Sequence, residues 1–286
     1  MTYLVGWREP GGNTVVGRLI EDGAAVAPIC GLQEFWSDPH RTSALSAAGP
    51  ALAVADVDLV PPVLPDARVI CIGLNYPAHR AEGSYAADPI PLHPTLFARW
   101  PASLTVGGTE IPVPPDEDGL DWEGEVVAYV GATLVDATPD EALDAVVGYS
   151  VFNDITARRA QKLTSQWTLG KNADRSGPLG PLVPAAEVGD LRRGLRLWTR
   201  VNGQVVQEGR TDQMVYTVGD TLALISRTFA LRPGDLLATG TPSGVGYART
   251  PPWLMQPGDV IEVEVEGLGT LRNTVTGPDQ RKEKRP

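Results

Sequence analysis

Two glutamates, Glu123 and Glu125, stand either side of one glycine in the segment DWEGEVVAYVG. If that segment is a strand, the pair points to one side with about 6.6 Å between positions. Both carboxylates can then converge on one hard cation, while Gly124 keeps the intervening face clear. The flanking alternation puts Trp122, Val126, Ala128 and Val130 on the other face. The plainer alternative is a solvated strand face that carries two acids. A third carboxylate, Asp154, ends the apolar run GYSVF, where an Asn-Asp pair is either a turn former or a ligand. Three oxygen ligands, with positions left for water and substrate, suit magnesium or manganese.

In NYPAHRAEG, His79 and Glu82 are three residues apart. On one helical turn they share a face, so the carboxylate can orient the imidazole and stabilise its charged form as a general base toward water. A surface histidine that merely neighbours a glutamate is the competing reading, and the placement directly after a buried-strand candidate favours a site. The polar run 155–181 offers Arg158, Gln161 and Lys171 as donors for a carboxylate and a developing oxyanion. Arg158, Arg159 and Lys162 would otherwise be the exposed side of a short helix. Gly170-Lys171 is followed by Asn172 and lacks the Walker glycine spacing, so this is no phosphate loop. The amides and Thr241 hydroxyl of TGTPSGVG (239–246) could cradle an anion or simply connect a hairpin. Neither GxSxG nor GxGxxG occurs, which removes the usual support for a serine hydrolase or a dinucleotide site.

Several elements must position these groups. ARVICIGL (67–74) reads as a buried strand leading into the His79 segment, and GYSVFNDI as a strand ending at Asp154. Between them, Thr138, Pro139 and Glu141 form the pattern of a capping box that starts a helix. TLALISRTFAL has helical spacing and stops at Arg232-Pro233-Gly234. Pro-Gly-Asp turns at 233–235 and 257–259 launch two further segments, the second a hairpin around Gly267–Gly269. Upstream, TVVGRLI and GAAVAPI flank Glu21-Asp22-Gly23 as a small antiparallel unit. The prolines of 61–65 mark a linker, so the main domain is expected from 61 onward. The tail QRKEKRP is expected to be a frayed, solvated end.

With 286 residues, the chain allows one large domain or a main domain with a small appendage. Its 31 glycines and 26 prolines predict many turns and short strands and argue against a helical bundle. The net charge of -11 disfavours polyanionic partners, so nucleic acid and anionic membrane surfaces are not expected. Three histidines and two cysteines leave no zinc ribbon, CxxC pair or disulfide framework, and any metal must be held mainly by carboxylates. The N-terminus lacks the n-region and h-region of a signal peptide and no apolar run matches a membrane span, so the cytoplasm is the expected location.

The motifs IGLNYPAHRAE, PTLFARW, DWEGEVVAYVG, GYSVFNDITARRAQ, WTLGKNADRSGPLGP and RPGDLLATGTPSGVG resemble, in order and spacing, those of the fumarylacetoacetate hydrolase superfamily over residues 65–275. The resemblance implies an α+β fold, mainly β with short helices. A small N-terminal β domain (1–60) would precede a mixed β-sandwich roll forming the catalytic domain (61–286), in a homodimer. It implies a divalent cation on Glu123, Glu125 and Asp154, usually magnesium, with manganese or calcium as alternatives. His79 and Glu82 would be the water-activating dyad, on a segment (77–90) that closes as a lid. Lys171 would stabilise negative charge on the substrate beside Gln161, with Arg158 and Thr241 on the substrate carboxylate and Tyr76 as a further contact. Three positions depart from the family pattern: Arg159 stands where Asp is common, Ser176 replaces a frequent aromatic and Arg99 a frequent Lys. Because these positions lie near the pocket wall in relatives, they bear on substrate identity rather than on the metal centre.

The chemistry implied is cleavage, decarboxylation or isomerisation of β-diketo acids and their enols. The leading expectation is hydrolysis of a carbon–carbon bond in an acylpyruvate-type acid. His79 would deprotonate water, Lys171 would stabilise the tetrahedral oxyanion, and pyruvate would leave as its enolate. The same enolate serves decarboxylation of an oxaloacetate-like acid or tautomerisation of a hydroxymuconate-like one. A non-catalytic ligand-binding homologue would have a broken ligand or dyad set, and here all five positions are filled.

Overall fold

The computed structural model describes residues 1–43, 46–83 and 86–278, organised around three β-sheets with short helices between them. The first sheet has five antiparallel strands and lies within residues 4–60. Its hairpin pairs Thr14–Ile20 with Ala25–Gly31 across the expected turn, where Asp22 and Gly23 both take positive φ.

The second sheet is mixed and eight-stranded, and it positions the candidate site. Gly124–Val130 runs antiparallel to both Val146–Asn153 and Leu236–Ala238, and Leu236–Ala238 runs parallel to Val69–Gly73. Every residue of Gly124–Val130 is buried, because the strand is covered on both faces. Val126, Ala128 and Val130 pack with Val263, Val265 and Leu271 of the third sheet. Val127 and Tyr129 pack with Phe35 and Trp36 of the N-terminal part, and Trp36 stacks on Tyr129 with ring centroids 6.0 Å apart. Near-continuous apolar sequence is what a strand buried on both sides requires.

The third sheet contains the predicted hairpin, Val260–Val265 with Gly269–Thr276. The capping box is present: Thr138 N donates to Glu141 Oε2 at 2.9 Å at the head of Pro139–Asp144. The later helix spans Val218–Ser226, starting earlier and ending earlier than its sequence periodicity predicts. Its end is set by Leu231, which forms a β-bridge with Leu134 and draws the chain out of helical geometry. Among the described residues no helix is long and apolar enough to cross a membrane. The basic tail 280–286 lies outside the described residues.

Candidate active site and metal centre

The register of the two central strands assembles the acids. Gly124 stands opposite Asn153 and Glu125 opposite Phe152. Just beyond, Asp154 N donates to Glu123 O at 2.8 Å and Glu123 N donates to Asn153 Oδ1 at 3.0 Å. One oxygen from each of Glu123, Glu125 and Asp154 lies within 4.8 Å of the others, and all three residues are buried. The solvated-face reading of the glutamate pair is thereby excluded. Gly124 has a different purpose from the one its sequence context suggested. A Cβ there would meet Thr199 Oγ1 at 2.3 Å and Val263 Cγ1 at 3.1 Å, so close packing of the third sheet requires the glycine.

A fourth acid, Asp121, was passed over in the sequence although it continues the period-two spacing of Glu123 and Glu125. Its carboxylate accepts from Gly246 N at 2.7 Å, Trp122 N at 2.8 Å, Tyr247 N at 3.1 Å and Arg158 Nε at 2.8 Å. Three cations face the four carboxylates. Arg158 Nη2 lies 2.7 Å from Glu123 Oε1. Lys171 Nζ lies 2.6 Å from both Glu123 Oε2 and Asp154 Oδ2. Arg99 Nε donates to Asp154 Oδ1.

Glu125 has no ion-pair partner among the described residues, and its Oε2 accepts from Gly240 N at 2.9 Å. Burial and the neighbouring Asp154 and Glu123 push its carboxyl well above the usual range. Burial alone would raise Glu123 too, yet Lys171, Arg158 and His79 pull it down to about 2. Burial would discharge Lys171, but Asp154 and Glu123 outweigh it and hold the ammonium charged. An all-oxygen donor set with one buried carboxylate in excess of its cations fits a hard divalent cation.

Pro77–Arg80 is a single helical turn with proline at its first position. His79 Nδ1 lies 3.1 Å from Glu82 Oε2, and Glu82 Oε1 accepts from Gly244 N at 2.5 Å. With Nδ1 engaged, Nε2 is the nitrogen left for proton transfer. Arg80 Nη2 donates to the carbonyls of Asp88 at 3.4 Å and Pro89 at 3.1 Å, fastening the far end of the expected lid. Residues 84 and 85 of that segment lie outside the described residues.

His79 and Glu82 line a cavity of about 690 Å³ together with Glu123, Glu125, Arg158, Gln161, Lys171 and Thr241. Phe97 and Trp167 form an aromatic side of it, with ring centroids 5.3 Å apart at 71°. Trp167 rests on Gly73, where a Cβ would meet its ring at 2.3 Å. Neither aromatic was expected at the site, although PTLFARW and WTLGKN carry them.

Other expected contacts fall elsewhere. Tyr76 is 2% exposed in the core and is not among the cavity's described lining. Arg158 lines the cavity but is engaged by Asp121, Glu123 and, through Nη1 at 3.0 Å, Gln161 Oε1. Thr241 Oγ1 donates to Gly124 O at 2.9 Å and accepts from Gln207 Nε2 at 2.9 Å, tying its loop to the central strand. The Gly-rich turn does cradle anions, but they are the protein's own. Gly240 N holds Glu125, Gly244 N holds Glu82 and Gly246 N holds Asp121. Arg159 is exposed and outside the described lining. Arg99 and Ser176, expected at the pocket wall, are buried beneath Asp154 instead.

Residues 68–276 match the family described as fumarylacetoacetate (FAA) hydrolase C-terminal. The chain is 35% identical over 275 residues to the mitochondrial oxaloacetate tautomerase fahd2 of Xenopus laevis, covering 91% of this chain and 85% of the relative. It is 37% identical over 226 residues to the oxaloacetate tautomerase YisK of Bacillus subtilis, covering 78% and 74% respectively. Among solved structures, fumarylpyruvate hydrolase from Pseudomonas aeruginosa in complex with Mn2+ and pyruvate superimposes with a TM-score of 0.66 at 33% identity, covering 77% of this chain and 91% of that one.

Proposed function

The chain belongs to the fumarylacetoacetate hydrolase family of enzymes, and we propose that it interconverts the keto and enol forms of a small 2-oxo dicarboxylic acid of the oxaloacetate type. The observation that carries this reading is the placement of the His79–Glu82 pair and the carboxylate–cation cluster around one cavity. The tautomerase relatives support it. A divalent cation, magnesium or manganese, held by Glu123, Glu125 and Asp154 would supply Lewis-acid polarisation of the 2-oxo group.

The chain's own residues supply the proton transfer. His79 takes a proton from the carbon next to the 2-oxo group and returns it to the oxygen, so that the double bond moves from C=O to C=C with no net loss of atoms. Glu82 fixes the ring through Nδ1 and stabilises the imidazolium between the two steps. Lys171 and Arg158 keep positive charge beside the enolate, and Phe97, whose ring lies 5.3 Å from Lys171 Nζ, restricts water there together with Trp167. Water-mediated cleavage of an acylpyruvate is the second reading. It is favoured by the same His79–Glu82 geometry, which would equally deprotonate water, and by the fumarylpyruvate hydrolase neighbour.

The assay is decay of the enol absorbance of oxaloacetate, alongside acid release from an acylpyruvate panel, with and without thorough chelation. Enol decay well above the uncatalysed rate, abolished by chelation and restored by Mg2+, is expected. Acid release without enhanced tautomerisation would turn the assignment to hydrolysis, and turnover indifferent to chelation would remove the metal. We further propose a homodimer. Leu96, 38% exposed on the edge strand Thr95–Arg99, and Trp100 beside it, 54% exposed, offer a second copy an apolar surface.

A further inference from the structure

Arg158 and Thr241, the groups expected on the substrate carboxylate, are engaged inside the protein, and Lys171 is paired with Glu123 and Asp154. The proposed substrate carries two carboxylates, so a cavity already rich in acids needs a cation that is not committed to one of them. Lys162 meets that requirement. It lines the same cavity as His79, Glu82 and Lys171. Among the described residues its partners are the phenol and the ring of Tyr247, and no carboxylate pairs with it.

The placement follows from the helical turn Arg158–Lys162. Positions i and i+4 share a face. Arg158 anchors one end of that face on Asp121 and Glu123, and Lys162 stands about 6 Å farther along the axis, where the turn is exposed. Arg159 is exposed outside the cavity's described lining, so the basic residues of this turn divide between cavity and solvent. Tyr247 N donates to Asp121 Oδ2 at 3.1 Å, which ties its backbone to the buried acids, and its ring centroid lies 3.7 Å from Lys162 Nζ. An aromatic face attracts a cation without neutralising it. The ammonium has three donors, so both charge and hydrogen-bonding capacity remain for an incoming anion.

We infer that Lys162, held over Tyr247, binds the substrate carboxylate remote from the 2-oxo group and so selects 2-oxo dicarboxylic acids over their monocarboxylic analogues. This rests on the function proposed above. Lys162 touches a part of the substrate that does not react, so its contribution is to binding in ground state and transition state alike, and its loss falls on KM more than on kcat.

The test compares wild type, Lys162→Gln and Lys162→Arg in the presence of Mg2+. It measures steady-state enol decay of oxaloacetate and inhibition by 2-oxobutanoate, which has the same chain length without the second carboxylate. Calorimetric titration with both acids is the second readout. In Lys162→Gln the KM for oxaloacetate should rise about 10-fold, the low end for a hydrogen bond to a charged group because the ammonium is exposed. The inhibition constant of 2-oxobutanoate should stay within about 2-fold, since that acid never reaches Lys162. Lys162→Arg keeps the charge and should retain most of the discrimination between the two acids. An unchanged oxaloacetate KM in Lys162→Gln overturns the inference, as does an equal weakening of both acids or an arginine variant as impaired as the glutamine one. If wild type does not accelerate enol decay, the tautomerase reading falls, and the calorimetric ratio of the two acids in wild type and Lys162→Gln still decides the role of Lys162.

Discussion

Glu125 and His79 face the same cavity, yet one is held in the middle of an eight-stranded sheet and the other on a four-residue helical turn. Glu123, Glu125, Arg158 and Lys171 line the cavity, with Asp121, Asp154 and Arg99 buried behind them, and the cluster is fixed by two paired strands and by the amides of the Gly-rich turn. Among the described residues, the segment that carries His79 is held by polar contacts that include Glu82 to Gly244 and Arg80 to the carbonyls of Asp88 and Pro89. Charges removed from water must be placed where partners cannot drift, because an unpaired one is costly. A proton-transfer group must instead let substrate in and out, which favours an element of low local stability. On the proposed assignment, charge binding belongs to the core of this cavity and proton transfer to its edge.

That contrast can be broken by substitution. His79→Ala should lower turnover by about 10²–10⁴-fold while leaving unfolding free energy within about 0.5 kcal/mol of wild type, as read by steady-state kinetics and urea denaturation. If it destabilises the fold heavily, the His79 segment is part of the core and the contrast fails. Arg158→Ala should do the converse on the stability axis, with a loss of about 3–5 kcal/mol in the same urea experiment, because Asp121 and Glu123 lose their shared partner. A near-neutral result there would mean that charge pairing does not organise the floor. Thr138→Ala, remote from both, sharpens the scale. Losing the capping box should lower stability by about 1 kcal/mol with activity unchanged.

Much of this arrangement was legible in the chain. The hairpins at Glu21–Gly23 and Gly267–Gly269 and the Thr138 cap follow from local chemistry that neighbouring residues complete by themselves. The glutamate pair and the His79–Glu82 pair were legible for the same reason, since each depends only on strand or helix periodicity. Asp121 was legible by the same alternation and was passed over. The helix at Val218–Ser226 was misjudged at both ends, its C-terminal end because a β-bridge from Leu231 to Leu134, almost a hundred positions away, overrides local spacing.

By itself the sequence determined the family, the β-rich class and which side chains could do chemistry, because short-range spacing encodes periodicity and caps. Tertiary structure alone decided which charges are already paired. Antiparallel register puts Asp154 beside Glu123, the Gly-rich turn gives its amides to Glu125, Glu82 and Asp121, and Arg99 passes beneath Asp154 to meet Ser176. Ion pairs and hydrogen bonds act over a few ångströms of space regardless of separation along the chain, so no local pattern could have specified them.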